Sequence, residues 1–262
     1  MSDAPGAAPQ ADAVILAGGT IKNPDFRQAV GVDCRALVSI LGRPMVVWVA
    51  EALKASRTIN RVVVMGRPAL RDTAVAGIAD AIVEEGVDEV DNLFRGIAAL
   101  PGAQHVLLVS ADLPLLTPEA IDDFIEGAPT DAEVVFPVCE RADIERDFPG
   151  RKWVFVGTPE GHYTGSSCFL FHPEPVVEHR EWVQRVFDAR RSVWKLITMW
   201  GKRFTLKALF HQVRLEDAAA RVSELLGIRG GVYVTHFTEL CMDVDKASDV
   251  AFVEERLQQR EK

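Results

Sequence analysis

The stretch Val14-Ile15-Leu16-Ala17-Gly18-Gly19 constrains this chain more than any other. Four consecutive apolar residues suit a strand covered on both faces, as in a parallel sheet with helices on either side. Gly18 and Gly19 lack a Cβ, so the backbone there can take positive φ and approach a ligand closely. Amides exposed by such a turn can form a concave nest for phosphate oxygens. Taken alone, a Gly-Gly pair is better read as a turn that ends a strand and binds nothing. Its weight depends on what the rest of the chain brings to the same place.

Buried strands follow at Arg61–Gly66 and Val106–Val109, with a further strand at Ala81–Glu84, alternating with helical patterns at Met45–Ala55, Asp91–Leu100 and from Thr117-Pro118-Glu119. Thr117 suits an N-cap and Pro118 the first helical position. Pro68–Ala76 reads as a short helix, and Thr20–Arg35 as a long loop with Asn23-Pro24-Asp25 as a turn signal. Strand and helix in alternation imply an α/β domain with a mostly parallel sheet and right-handed crossovers. Ligands of such sheets sit outside the carboxyl ends of the strands, where Gly18-Gly19 and Asp112 would both lie.

The second half is less regular. Val134–Val138 reads as a strand, and Glu140–Lys152, dense in charge, as an exposed excursion. Trp153–Val156 and Ser167–Phe171 are expected to pair antiparallel around Gly161–Gly165. Glu216–Leu226 reads as a helix ended by Gly227, Gly231–Phe237 as a strand, and Ser248–Gln258 as the last helix. Residues 1–11 are expected to be a disordered tail and 12–262 one domain, with a helical insertion over about 178–228.

A chain of 262 residues with net charge −9 lacks the basic balance of a surface that tracks nucleic-acid phosphates. Its four cysteines, Cys34, Cys139, Cys168 and Cys241, include no Cys-x-x-Cys pair, which argues against a zinc ribbon or a thioredoxin-like site. The run Ser2–Gln10 lacks the basic start and apolar core of a secretory signal, and no apolar run approaches the roughly 18 residues that span a bilayer. A cytoplasmic protein is the expectation.

Asp112 ends a buried strand, and Asp243 and Asp245 are expected at another strand end. Each alone could be a turn former or a helix cap, with Ser248 competing for the cap of the last helix. Carboxylates from two strand ends that face a phosphate-binding turn make a different proposition, because magnesium takes one or two carboxylates together with substrate phosphates. It would offset charge as a phosphoryl bond breaks, while basic side chains from the loop after Gly19 would clamp the remaining oxygens.

Four segments then carry a resemblance. Leu16-Ala17-Gly18-Gly19, Arg35-Ala36-Leu37 with Leu41-Gly42-Arg43-Pro44-Met45, Ala111-Asp112-Leu113-Pro114, and Asp243-Val244-Asp245-Lys246 stand in the order seen in MobA-like NTP transferases, the nucleotidyltransferases similar to molybdenum cofactor guanylyl- and cytidylyltransferases. The resemblance runs from about Ala13 to Leu257. It implies a three-layer α/β/α Rossmann-like nucleotidyltransferase fold of the nucleotide-diphospho-sugar transferase kind, with a helical insertion. It also implies transfer of NMP from an NTP to a phosphorylated small-molecule acceptor, with release of pyrophosphate.

By that resemblance the nucleotide would lie on Leu16, Ala17, Gly18, Gly19, Thr20, Asn92, Gly96 and Asp112. Asp112, Asp243 and Asp245 would hold Mg2+, and Arg35, Lys22 and Asp112 would be catalytic. The donor would be GTP or CTP; nucleic acid and membrane are not expected partners, and a homo-oligomer is left open. The chain departs from the family at two places. Thr20-Ile21-Lys22 stand where Gly-x-Arg is usual, with Lys22 or Arg27 available to replace that arginine, and Arg35 stands where a lysine is usual. Arginine presents a planar fork instead of a compact charge, so the second change is not neutral at a phosphate. The alternative reading is a non-catalytic nucleotide-binding or regulatory protein that keeps the fold.

From Arg180 to Lys207 eight basic residues meet two acidic ones, interleaved with Trp182, Trp194 and Trp200. This stretch reads as amphipathic helices with solvated charges, as a lid or acceptor pocket, or as contact with an anionic membrane surface.

Overall fold

A computed structural model describes residues 10–189, 201, 204, 207 and 212–260. The tail before residue 10 and most of the basic stretch after Ala189 lie outside them.

Among the described residues nine strands form one sheet. Its centre is β1 (Ala11–Ala17), flanked in parallel by β4 (Ile59–Gly66) and β6 (Val106–Ser110), with β5 (Ala81–Glu84) parallel to β4. A small ribbon, β2 (Ser39–Ile40) and β3 (Arg43–Pro44), stands apart. Side chains alternate across β1. Ala13, Ile15 and Ala17 join a core with Val46, Ala50 and Leu53 of α2 (Met45–Ala55) and Ile121 and Phe124 of α4 (Pro118–Gly127). Val14 points the other way, into a core with Met65, Leu93 and Leu108 under α3 (Glu89–Ala98). These two cores make the three layers. The continuous apolar run of β1 exists because both of its faces are buried.

The other half of the sheet is mixed. β7 (Val134–Glu140) runs parallel to β11 (Gly230–Thr235) and antiparallel to β9 (His162–Gly165), which pairs with β8 (Val156–Gly157). β10 (Cys168–Phe171) lies between β6 and β7, antiparallel to both. This corrects the expected pairing of Ser167–Phe171 with Trp153–Val156. An apolar tetrapeptide is better buried between two central strands than on an edge.

Three more expectations change. The loop after Gly19 contains α1 (Pro24–Val30): the Asn23 side chain accepts from the amides of Asp25 and Phe26 at 3.0 and 3.1 Å, and Gly31 ends the helix at φ 71°. The apparent turn signal is therefore an N-cap followed by proline at the first position. Glu140–Lys152 is not an exposed excursion, because α5 (Arg141–Asp147) buries Ile144 and Asp143, with Phe148 buried just beyond it. Pro68–Ala76 forms two 3-10 turns, Pro68–Asp72 and Ala74–Gly77, in place of one helix.

The remaining helices are α6 (Pro173–Glu178), α7 (Arg180–Ala189), α8 (Leu215–Leu226) and α9 (Ala247–Arg260). Gly227 ends α8 at φ 66°, as its sequence predicts. No helix among the described residues is long and apolar enough to cross a membrane. A third core joins α1, α5 and α9 below the carboxyl edge of the sheet, through Phe26, Ile144, Phe148, Met242, Val244 and Val253.

Candidate active site

Four parallel strands end at one edge, at Ala17, Gly66, Glu84 and Ser110. The residues just past these ends are Gly18-Gly19, Arg67, Glu85 and Ala111-Asp112, and they form the site. Gly19 has φ 84°, a left-handed backbone that suits glycine. Its amide donates to Glu85 Oε2 at 2.7 Å. A Cβ on Gly18 would overlap that same carboxylate and come within 3.2 Å of Asn92 Nδ2. The turn is thus a cradle already holding an anionic group. Asn92 sits beside it, buried, with its Oδ1 accepting from the Gly86 amide at 2.6 Å.

Arg67 fastens this corner. Its Nη1 reaches both carboxylate oxygens of Asp33 at 2.8 Å, its Nη2 donates to Thr20 Oγ1 at 2.7 Å, and its Nε lies 3.3 Å from Glu85 Oε1. One guanidinium so links the glycine turn, the strand-5 loop and the segment leading to Arg35. Sequence reasoning did not single out Arg67 or Glu85. The signal was available, since each is a charged residue directly after a strand, Arg67 after the buried end of β4 and Glu85 after the part-exposed β5.

The second half of the site centres on Arg35. Its Nη1 donates to Asp112 Oδ2 at 2.6 Å and lies 3.0 Å from Asp245 Oδ1. Asp112 is 5% exposed, and its Oδ1 is buried without a hydrogen-bond partner among the described residues. The Ala111 amide donates to the Leu16 carbonyl, and the Val244 amide to the Asp112 carbonyl, at 3.1 and 3.0 Å. These bonds hold the aspartates next to the glycine turn. Asp243 and Asp245 do not end a strand: they follow the 3-10 turn Thr238–Cys241 and lead into α9. Neither of them organises the start of that helix. The buried carboxylate of Asp249 does so, accepting from the amides of Asp245 and Lys246 at 3.0 and 3.2 Å and pairing with Arg151 at 2.9 Å.

Three carboxylates face one guanidinium here. Burial, and then the charges of Asp112 and Asp245, push the Asp243 carboxyl up to about 7 against the opposing pull of Arg35. Burial likewise raises Asp245, with Arg35 opposing and Asp112 reinforcing. Such a cluster lacks positive charge. The unpartnered Asp112 Oδ1 and the surplus of oxygen ligands fit a hard divalent cation. Among the described residues no group of three His, Cys, Asp or Glu side chains is arranged to hold a metal ion by itself.

The remaining predicted residues fall as follows. Lys22 is exposed on the loop before α1, whose base is pinned by the Ile21 amide on the Asp33 carbonyl at 2.7 Å. Leu16 and Ala17 lead into the turn. Gly96 is set apart from this group: it is buried against β1, where a Cβ would come within 2.6 Å of Val14 Cγ1. The visible reason for glycine there is close packing of helix on strand. Of the basic stretch, Arg180 is described: it lies over the Phe94 ring at 4.4 Å and 3.8 Å from Asp91.

A three-layer sheet with a glycine cradle and an acidic cluster at its carboxyl edge defines the nucleotide-diphospho-sugar transferase fold, and solved nucleotidyltransferases share it. The chain belongs to the MobA-like NTP transferase family, whose model matches residues 13–199. Among solved structures it is similar to a hypothetical transferase of Thermus thermophilus, 29% identical with TM-score 0.82 over 92% of this chain and 99% of that one. A 2-C-methyl-D-erythritol 4-phosphate cytidylyltransferase of Thermus thermophilus shares the fold at 16% identity, TM-score 0.57, over 95% of this chain and 99% of that one. A protein of that same name from Frankia casuarinae is 32% identical over 153 residues, 56% of this chain and 55% of the relative. The match therefore spans little more than half the length of this curated relative.

Proposed function

We propose that this protein is a magnesium-dependent nucleotidyltransferase that moves NMP from an NTP to a phosphorylated small-molecule acceptor and releases pyrophosphate. The observation that carries the reading is the buried, unpartnered Asp112 Oδ1 in a carboxylate-rich cluster beside the glycine cradle. CTP is the favoured donor, because the curated relative is named a cytidylyltransferase, and GTP is the second choice. That relative's name also supports a phosphorylated sugar alcohol as the acceptor class.

In this reading an acceptor phosphate oxygen attacks the α-phosphorus, and the bond to the β-phosphate oxygen breaks. The chain contributes position and charge, with no covalent intermediate. The Gly18-Gly19 turn receives phosphate oxygens on its amides, which requires Glu85 to yield the Gly19 amide. Arg35 presents its fork to the triphosphate, its Nη1 already oriented by Asp112 and Asp245. Lys22 supplies a second cation from the loop. Asp112, with Asp243 and Asp245, would hold the metal, which when bound neutralises charge that builds on the phosphates.

The test pairs two measurements. Thermal shift is recorded with each of the four triphosphates, with and without magnesium, for the unaltered chain and for Asp112→Asn. Pyrophosphate release is then followed across a panel of phosphorylated acceptors. A magnesium-dependent shift for one nucleotide that is lost in Asp112→Asn, together with release, supports the proposal. Binding without release on any acceptor favours the non-catalytic alternative, and no shift with any nucleotide overturns both.

A further inference from the structure

All four cysteines are reduced and buried, yet they are not scattered. Cys34 stands alone, donating to the Ala17 carbonyl at 3.5 Å. The other three converge behind the acidic cluster. Cys241 Sγ lies 3.2 Å from Cys139 Sγ, although the two residues are 102 positions apart. Cys139 is on β7, and Cys241 ends the 3-10 turn two residues before Asp243. Cys168, on β10, is turned to Ser166, whose Oγ lies 3.0 Å from its sulfur. The proposed transfer uses none of these thiols.

We propose that Cys139 and Cys241 form a disulfide when the protein meets a hydroperoxide or another two-electron thiol oxidant, and that this bond staples β7 to the 3-10 turn that leads into Asp243 and Asp245. The chemistry balances simply. Two S–H bonds break and one S–S bond forms. Two electrons and two protons pass to the hydroperoxide, whose O–O bond breaks to give water and an alcohol, or two waters from hydrogen peroxide. The sulfurs must close from 3.2 Å to about 2.05 Å, a movement of roughly an ångström. Both side chains are held for it. Cys139 Sγ is directed to the Phe237 carbonyl at 3.7 Å and Cys241 Sγ to the Thr164 carbonyl at 3.9 Å, so each sulfur faces the same small space.

Burial sets the conditions. Reactive cysteines sit at accessible positions and buried ones are usually inert. A small oxidant must therefore enter through local opening of the strand-7 end, after which the neighbouring thiol captures the oxidised sulfur at once. Further oxidation to sulfinic acid is suppressed by that proximity.

The second consequence rests on the proposed function. The Val244 amide is bonded to the Asp112 carbonyl, so a bond at Cys241 is transmitted over three residues to the metal-binding cluster. Oxidised protein should lose most of the magnesium-dependent thermal shift given by its nucleotide.

The test treats the full, reduced, folded chain with hydrogen peroxide or diamide, then blocks free thiols and maps the peptides. The expected product is about 2 Da lighter, has Cys139 linked to Cys241, and reverts with dithiothreitol. Cys168→Ser should keep the link and Cys139→Ser should lose it. Peptide mapping of the unaltered chain decides the matter if Cys139→Ser folds poorly. The proposal is overturned if no link forms, if it joins Cys168 or Cys34 instead, or if it appears only in denaturant. A reduced protein that shows no nucleotide shift at all refutes the proposed function and leaves the disulfide result standing.

Discussion

The Glu85 carboxylate accepts a hydrogen bond from the Gly19 amide at 2.7 Å, occupying the donor that the proposed function assigns to a phosphate oxygen. The glycine turn and the strand-5 loop are thereby closed on each other, and Arg67 braces both from the outside. On the proposed function, a triphosphate entering the cradle would meet a like charge before it met a donor.

Replacing that charge should therefore favour the ligand. Glu85→Gln keeps the length and loses the negative charge, and triphosphate should bind more tightly by about 1 kcal/mol, or ~5-fold. Isothermal titration with magnesium and CTP checks it. Weaker binding would mean that Glu85 contacts the donor favourably and does not compete with it.

Arg35 is the cation that bridges Asp112 and Asp245. Its removal leaves Asp112 and Asp245 without this partner and, on the proposed function, the triphosphate without its clamp. Arg35→Ala should lower turnover by about 100-fold or more, in line with loss of one preorganised charge-stabilising donor. Arg35→Lys should recover part of this, because it restores charge without the fork. Steady-state kinetics of pyrophosphate release, with the melting temperature recorded alongside, separates a catalytic loss from unfolding.

Gly96 distinguishes packing from recognition. A methyl group there would press on Val14 Cγ1 and, at 3.1 Å, on Cγ2. Overpacking of this kind costs roughly 1–3 kcal/mol, offset by the better helix propensity of alanine, up to about 1 kcal/mol. Gly96→Ala should lower the urea midpoint by an amount worth about 1–2 kcal/mol while leaving nucleotide affinity nearly unchanged. An unchanged midpoint with weakened nucleotide binding would return Gly96 to the ligand.

A pH-sensitive pair lies away from the site. His236 Nδ1 is 2.7 Å from Asp143 Oδ2, and this hydrogen bond raises the histidine above its ordinary value while lowering the aspartate. Asp123 also raises His236, and Arg146 opposes. Because the folded histidine value is raised, its stabilising contribution is complete below the unfolded value and is lost as pH rises through the folded one. The depressed aspartate contributes above its unfolded value and loses that contribution as pH falls through its folded one. The pair thus favours the fold between the ordinary carboxylate range and the ordinary histidine range. NMR titration of the His236 ring should give a raised value that falls back toward about 6.5 in Asp143→Asn.

Much of the site was legible because its residues sit where buried strands stop. Gly18-Gly19 and Asp112 announce themselves by ending apolar runs. Arg67 and Glu85 follow strand ends too, but their meaning depends on each other and on Thr20 and Asp33, which is a matter of folded distance. Asp243 and Asp245 were singled out, while their setting was misread: seven residues, with a 3-10 turn among them, separate Asp243 from strand Gly230–Thr235. Short helices escaped for a simple reason. Seven residues, as in Pro24–Val30 and Arg141–Asp147, contain too few apolar repeats to show a period of 3.6. The partners of Cys168–Phe171 could not be read at all, since an apolar run states that it is buried and not beside which strand.

The reversed direction of that strand governs how this molecule can diversify. Phe171 lies opposite Val106, at the far end of the sheet, so α6 begins remote from the aspartates. The chain must then climb back along α3, from Pro173 beside Pro101 to Gln184 and Phe187 beside Asp88 and Val90. Helix α7 thus brings Asp188, next to its end at Ala189, beside Asp88 at the start of α3, and the described chain rejoins the sheet at Gly230. A change of length or charge after Ala189 leaves the register of β1, β4, β5 and β6 untouched, since all four precede it in the chain and pair only with strands that do the same.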